Sequence, residues 1–398
     1  MAAALRNASP RGYEAEIARA QNDLAELEAI LRSRPRDVES RVKLVYRLFH
    51  RASLTGNIGD FEAVETGVRE AIKSCGPRED LCLLKANLDF RFHRLAEVKE
   101  DLKMAPLLAG RIEGRTLLAD IDFEEGRYQE SRTGFEQLIE ENRTWDNLAR
   151  LAHWKGKMGD PGGADQLYVE AEFDLTAKEM RSFAWLELQR GVLAITHGQY
   201  EQAALHYRRA ETAYPGHWHV NEHVAELQAA QGKFEEGVAL LKSVIARAPK
   251  PELRQALGEL YVYMGMPEQA QPWFDGALAA YMESVERGGV HYYHHLADFY
   301  ADVREQPVEA VKWARKDIAL RSNFSTQAAL ARALYRAGEV GEALQFIKQA
   351  LASGVRDAGI FRTASTLFEA TGETGESERY ASAANAINPR YSDFHMHH

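Results

Sequence analysis

Glycine recurs at nearly constant intervals through most of this chain. Seven glycines each stand between two helical patterns: Gly126, Gly159, Gly198, Gly232, Gly265, Gly338 and Gly372. Most intervals between them are 33 or 34 residues, and the exceptions are 39 and 73. The interval of 73 must span two units. A fixed period near 34 is typical of a helical solenoid, in which each unit packs only on its neighbours.

The segments between these glycines have helical rather than strand periodicity. Apolar residues recur at spacings of three and four, and no run alternates as a half-buried strand would. Several prolines stand just past helix ends, as in AYPGH and NPRY, where they do not disturb the helix. The sequence therefore predicts an all-α protein whose units form one continuous superhelix.

The second helical pattern of each unit has a regular arrangement of small and aromatic residues. GQYEQAALHYRRAETAYP contains Gly198, Tyr200, Ala203, Tyr207, Ala210 and Pro215, and GMPEQAQPWFDGAL contains Gly265, Ala270, Phe274 and Ala277. The first pattern contributes LGELY, with Leu257, Gly258 and Tyr261. This arrangement resembles the tetratricopeptide repeat family. The resemblance implies a right-handed α-α superhelix whose first helices line a concave ligand-binding surface.

The resemblance is not uniform along the chain. It is clear over about residues 112–390 and looser before, where Gly59, Phe61 and Ala71 fit only in part. We therefore expect irregular N-terminal helical repeats at 1–111, a repeat array at 112–390 and a histidine-rich C-terminal tail at 391–398.

Charge and hydropathy exclude several classes of partner. The chain of 398 residues has 49 Lys and Arg against 59 Asp and Glu, which gives a net charge of −10. A general nucleic-acid binder needs a basic face, so we expect no nucleic-acid partner. No apolar run approaches the roughly 20 residues that a membrane span requires.

The start of the chain has no hydrophobic segment typical of a signal peptide, which favours a cytoplasmic protein. Cys75 and Cys82 allow two interpretations. They are two reduced thiols at the ends of successive helices, or they form a disulfide across a Gly-Pro turn. The disulfide, with a signal trimmed from the chain, would instead indicate a periplasmic protein.

The usual motifs of catalysis are missing from the sequence. There is no GxSxG, GxGxxG, P-loop or HExxH pattern. GDPGGAD coincides with an inter-helix turn, where glycine ends a helix. We therefore expect a protein that is not an enzyme.

Histidines and carboxylates concentrate on one side of three successive first helices. Helical spacing places His219, Glu222, His223 and Glu226 on one face, then Glu252, Gln255 and Glu259, then His291, His294, His295 and Asp298. The third helix is aligned through Leu296, Ala297 and Tyr300, because its unit lacks the turn glycine. By the resemblance, these side chains face the concave surface.

Two functions fit this pattern. In the first, the chain is a scaffold that holds a partner protein or peptide, and Glu222, Glu252, Gln255 and Glu259 contribute to an acidic groove suited to a basic peptide. In the second, the chain binds or delivers zinc, nickel or copper. Its ligands would be His219, His223, Glu226, His291, His294, His295 and Asp298, and the tail would add His395, His397 and His398 as a flexible chelator.

Overall fold

The described part of the chain is helical from end to end. The computed structural model describes residues 12–396, which form 22 α-helices, one π-helical turn and no β-strand. The all-α helical solenoid predicted from the sequence is confirmed.

Six helices precede the region where the repeat is clear. They are α1 (Tyr13–Ser33), α2 (Val38–Thr55), α3 (Ile58–Cys75), α4 (Glu79–Arg91), α5 (Leu95–Met104) and α6 (Pro106–Gly110). α1 packs on α2, α2 on α3, and α4 on α5. Cys75 ends α3 and Cys82 lies near the start of α4, and the structure shows both as free thiols, which is the first of the two interpretations.

The remaining helices form eight successive hairpins. They are α7 (Ile112–Glu124), α8 (Tyr128–Glu141), α9 (Trp145–Lys157), α10 (Pro161–Phe173), α11 (Met180–Ile195), α12 (Tyr200–Ala213), α13 (Trp218–Ala230), α14 (Phe234–Arg247), α15 (Pro251–Tyr263), α16 (Pro267–Glu286), α17 (Tyr293–Asp298), α18 (Pro307–Leu320), α19 (Phe324–Arg336), α20 (Val340–Ala352), α21 (Ala358–Ala370) and α22 (Thr374–Ile387). The π-helical turn Phe299–Val303 continues α17.

The turn glycines take the conformation that their spacing predicts. All seven have positive φ, between 68° for Gly198 and 88° for Gly159, a region that favours glycine because it has no Cβ. Two further turns are made by other residues, His93 with φ 60° and Glu305 with φ 51°. His93 lies 33 residues before Gly126 and Glu305 lies 33 before Gly338, so both continue the same rhythm.

In two of the hairpins a glycine of the first helix faces an aromatic ring of the second. A Cβ on Gly191 of α11 would stand 2.1 Å from the ring of Tyr207 in α12, and one on Gly258 of α15 would stand 2.5 Å from the ring of Phe274 in α16. Tyr207 is buried with 1% of its surface exposed. Glycine in the first helix therefore lets the paired helix approach closely enough for its aromatic residue to fill the core.

Turns of the superhelix touch one another along a line that we call the seam. Trp218 Nε1 donates to the carbonyl of Leu54, 164 residues away, at 2.9 Å. The amide of Phe324 donates to the hydroxyl of Tyr128, 196 residues away, at 2.7 Å. The amide of Arg356 donates to the carbonyl of Lys157, the last residue of α9, at 2.9 Å. The start of a helix thus meets a helix end, or the start of the helix that follows it, one superhelical turn earlier.

Candidate functional site

The first group of predicted site residues lies together on α13. We call His219, Glu222, His223 and Glu226 the α13 face. The ring centroids of His219 and His223 are 5.2 Å apart, and His223 Nδ1 lies 3.3 Å from Glu226 Oε2. Glu222, His223 and Glu226 are nevertheless buried. The α13 face is covered by protein and is not the open groove that the sequence led us to expect.

The chain's own C-terminal residues form part of that cover. We call residues 391–396 the tail segment. The amide of Met396 donates to Glu226 Oε1 at 3.0 Å, and the ring of Phe394 lies 5.6 Å from that of Tyr263 on α15. Phe394 and Met396 are each 5% exposed, whereas His395 between them is exposed. The expected flexible chelator is therefore, up to residue 396, a turn followed by a non-helical segment that packs on the repeats. His397 and His398 lie outside the described residues.

The predicted groove residues of α15 form hydrogen bonds and an ion pair within the protein. Gln255 is buried; its side-chain oxygen accepts from the hydroxyl of Tyr281 at 2.9 Å, and its nitrogen donates to Glu259 Oε1 at 2.8 Å. Glu252 forms an ion pair with Lys250. These contacts leave Gln255 in the core between α15 and α16, not on a surface that a partner reaches.

His294 and His295 of α17, and His291 just before it, lie close to a fourth imidazole from the preceding turn of the superhelix. His93, in the turn between α4 and α5, stacks on His291 with ring centroids 5.6 Å apart and lies 5.7 Å from His294. The centroids of His294 and His295 are 4.0 Å apart. We call these four residues the imidazole cluster. His93 is not among the residues that the sequence placed at this site, and only its 33-residue spacing to Gly126 could have shown that it lies at a unit's turn.

The imidazole cluster is kept neutral by its surroundings. Burial lowers the pKa of His291 to about 3 and lowers the pKa of His295, and it holds the pKa of His93 and of His294 well below the usual value. The rings keep a partly accessible edge, but protein surrounds them on most sides, so desolvation dominates. The charged groups nearby are Arg91, Lys250, Glu252, Asp298 and Arg321.

The clustered histidines do not form a recognisable metal centre. Asp298, which we predicted as a ligand, forms an ion pair with Arg332 of α19. Within residues 12–396, no group of three or more His, Cys, Asp or Glu side chains is arranged to hold a metal ion. Binding of zinc, nickel or copper by His219, His223, Glu226 and the histidines of α17 stays a prediction from the sequence.

A cavity that the sequence did not indicate lies between the first helices α7, α9 and α11. Its volume is about 380 Å³, and its walls include Phe123, Trp145, Trp185, Asp120 and Arg150. Arg150 Nε donates to both carboxylate oxygens of Asp120 at 3.1 Å. Burial raises the pKa of Asp120 to about 6, and the guanidinium only partly offsets this. Because the acid already has a cationic partner, the cavity presents mainly aromatic surface.

None of the helices in the described part of the chain is both long enough and apolar enough to cross a membrane. This agrees with the hydropathy of the sequence.

Comparisons with known proteins identify the repeat. Residues 194–260, which run from the end of α11 into α15, match the tetratricopeptide repeat. A comparison with curated proteins finds no similar sequence.

Solved structures with similar helical arrangements are distant in sequence. A tetratricopeptide repeat protein from Parabacteroides merdae is 16% identical over 61% of this chain and 93% of its own, with a TM-score of 0.38. The Cut9-Hcn1 hetero-tetramer of the APC/C contains a chain that is 14% identical over 95% of this chain and 81% of its own, with a TM-score of 0.43. MamA is 14% identical over 42% of this chain and 96% of its own, with a TM-score of 0.34.

The resemblance noted in the sequence is thus confirmed where the match is specific. Residues 194–260 belong to the tetratricopeptide repeat family, and they lie within a chain built of helical repeats throughout its described length.

Proposed function

We propose that the protein is a non-enzymatic scaffold that binds an extended segment of a partner protein across α13 and α15. Tetratricopeptide repeat proteins generally bind protein partners, and the matched segment, residues 194–260, contains α13 and most of α15. The partner would lie on the α13 face and against Tyr263.

One observation carries this proposal: the α13 face already receives a non-helical polypeptide segment, the end of the tail segment. The tail segment reaches Glu226 through a backbone amide, not through a charged side chain. Recognition through backbone groups with alternate side chains in pockets is a general way to bind an extended peptide. The surface therefore has both the donor–acceptor pattern and the apolar contacts that such a ligand needs.

The charges of this region do not select a basic partner. Glu252 is paired with Lys250, Asp298 with Arg332, and Glu226 accepts from the tail segment. These carboxylates thus have partners within the chain, and their charge is largely compensated. The ligand is better described by its backbone conformation and apolar side chains than by positive charge.

Selection from a displayed library of random peptides tests the proposal. Both the wild-type protein and the full-length double variant Phe394→Ala/Met396→Ala, in which the tail segment loses its two buried side chains, serve as targets. We expect selected peptides whose affinity for the double variant falls about ten-fold or more when Glu226→Ala is added, because a hydrogen-bond acceptor for the peptide backbone is lost.

The control is Glu235→Ala, which removes an exposed carboxylate from the first turn of the partner helix α14. Circular dichroism verifies that each variant keeps its helical content. Selected peptides that bind equally to the Glu226→Ala and Glu235→Ala variants would place the binding surface elsewhere and contradict the proposal.

A further inference from the structure

We infer that the tail segment is an internal ligand of the α13 face, and that partner segments displace it by presenting the same pattern, Asp-Phe-x-Met. This inference rests on the proposed function and names the chemistry of its ligand. The pattern is an acidic residue, an aromatic residue and, two positions after the aromatic, a methionine.

The chain is anchored immediately before the tail segment. Asn388 follows α22 and packs on the turn glycine Gly198, where a Cβ would lie 2.8 Å from the Asn388 side-chain oxygen. The guanidinium of Arg390 lies 4.6 Å from the ring centroid of Tyr200. Residues 388–390 thus make the seam contact that a further repeat would make. Only the residues beyond Arg390 leave the seam for the α13 face.

The acidic residue of the pattern has a defined partner. The hydroxyl of Tyr200 donates to Asp393 Oδ2 at 3.0 Å. Tyr200 is buried at the first turn of α12, and its hydroxyl is directed to the carboxylate of the tail segment. A hydrogen bond to a charged acceptor is stronger than one between neutral groups, so an acid at this position is favoured.

The aromatic residue and the methionine are selected by alternation. Burial alternates along the last three residues of the tail segment. Phe394 and Met396 are buried, and His395 between them is exposed, with its ring 4.9 Å from that of Tyr391. Tyr263 meets the ring of Phe394 edge-on at an interplanar angle of 72°, and its hydroxyl lies 3.5 Å from the carbonyl of Ser392. The two buried side chains are therefore the ones that a competing segment must reproduce, together with the acid before them.

The tail segment is held in a manner that permits exchange. Its residues 394–396 belong to no helix, and its backbone hydrogen bonds include two turn bonds, from the amides of Tyr391 and Asp393, and the bond from the Met396 amide to Glu226, whereas α22 before it is packed on α21. Segments with few buried contacts open without unfolding of the rest. Since its anchor keeps the tail segment close to the α13 face, a separate segment competes against a high effective concentration.

Binding of a labelled synthetic peptide tests this competition. The probe is fluorescein-labelled YSDFHMHH, residues 391–398, and its binding is followed by fluorescence anisotropy. We expect the full-length Phe394→Ala/Met396→Ala variant to bind the probe about ten-fold or more tightly than the wild-type protein, whose own tail segment occupies the site. Wild-type protein with Ser392→Ala, which changes an exposed side chain of the tail segment, should behave as the wild type.

Two matched changes test the location of the binding site. Tyr263→Ala, added to the double variant, should lower the affinity for the probe because it removes the contact with Phe394. Val262→Ala is the control, since Val262 is its exposed neighbour on α15, with 50% exposure against 49% for Tyr263. A probe that carries the Phe394→Ala and Met396→Ala changes itself should not bind.

Equal binding of the probe to wild-type protein and double variant would overturn the inference, as would no binding to a folded double variant. If library-selected peptides still bind at Glu226 while the probe does not, this inference fails and the proposed function stands. If neither binds, both fail. Concentration-dependent dimers of the wild-type protein that the double variant does not form would show that the tail segment of a second copy occupies the α13 face, and would overturn the inference that the ligand is internal.

Discussion

At the scale of single residues, the distance between paired helices depends on glycine, which has no side chain. Gly191 lies within α11, and its missing Cβ leaves the space that the Tyr207 ring occupies. Tyr207 is almost fully buried, so the ring has no free volume into which it could move. A closely packed interior cannot absorb an added methyl group without displacement of a neighbour.

Gly191→Ala is therefore expected to destabilise the protein by about 1–3 kcal/mol, although alanine is the better helix former. The measurement is the midpoint of thermal unfolding by circular dichroism. Gly375→Ala in α22 is the matched control, because nothing lies within 4 Å of the position of its Cβ. A Gly191→Ala protein as stable as the Gly375→Ala protein would show that the hairpin tolerates the added carbon.

At the scale of helices, the seam joins elements that are far apart in the chain. α8 and α19 meet where the ring of Tyr128 stacks on that of Phe324, with centroids 5.4 Å apart. The Tyr128 hydroxyl accepts the hydrogen bond from the amide of Phe324, at the first residue of α19. Because this amide is at a helix start, it has no carbonyl partner within its own helix. The hydroxyl therefore satisfies a buried donor as well as joining two superhelical turns.

Tyr128→Phe should lower the stability by about 1–3 kcal/mol, since it keeps the ring but leaves that amide without an acceptor. The control is Tyr46→Phe, which removes the hydrogen bond from the 40% exposed Tyr46 to the carbonyl of Asp80, where water can replace it. Urea unfolding curves of both variants measure the effect. Equal shifts for the two variants would mean that the seam contact does not contribute to stability.

At the scale of the whole molecule, the imidazole cluster joins two successive turns of the superhelix, and we expect it to make the stability of the fold depend on pH. His93 belongs to one turn of the superhelix and His291, His294 and His295 to the next. Their pKa values in the folded protein lie below the value of about 6.5 expected in the unfolded chain. As pH falls below about 6.5, the unfolded chain takes up protons first, and the folded state loses stability progressively toward the lowered folded values.

The expected result is a fall in the thermal midpoint between pH 7.5 and pH 5 that is smaller in His294→Leu than in the wild type. Each imidazole that gains its proton only on unfolding contributes at most about 1.4 kcal/mol per pH unit. Burial raises the pKa of Asp120 and of Asp317 to about 6, and these carboxyls act in the opposite direction. The comparison of variant with wild type cancels their contribution. Identical pH profiles for the two proteins would contradict this prediction.

A feature of the structure could be predicted from the sequence where the residues that determine it are close together in the chain. The seven turn glycines were identified from spacing alone, because a positive φ and a repeated small–aromatic pattern are recorded in neighbouring residues. His93 and Glu305 make equivalent turns without glycine, so composition gave no indication of them. The α13 face was predicted correctly as one side of a helix, but its burial by the tail segment was not, since the two are 170 residues apart.

The sequence by itself determined the helices, their pairing into hairpins and the order in which units stack, because each of these depends on contacts within a unit or between adjacent units. Only the tertiary structure decided which distant units meet. The seam and the imidazole cluster depend on the small rotations between successive units, summed over many units. No pattern within one unit predicts that sum. The position of the tail segment depends on the same geometry. Asn388, just after α22, reaches the turn of Gly198 only after a full turn of the superhelix.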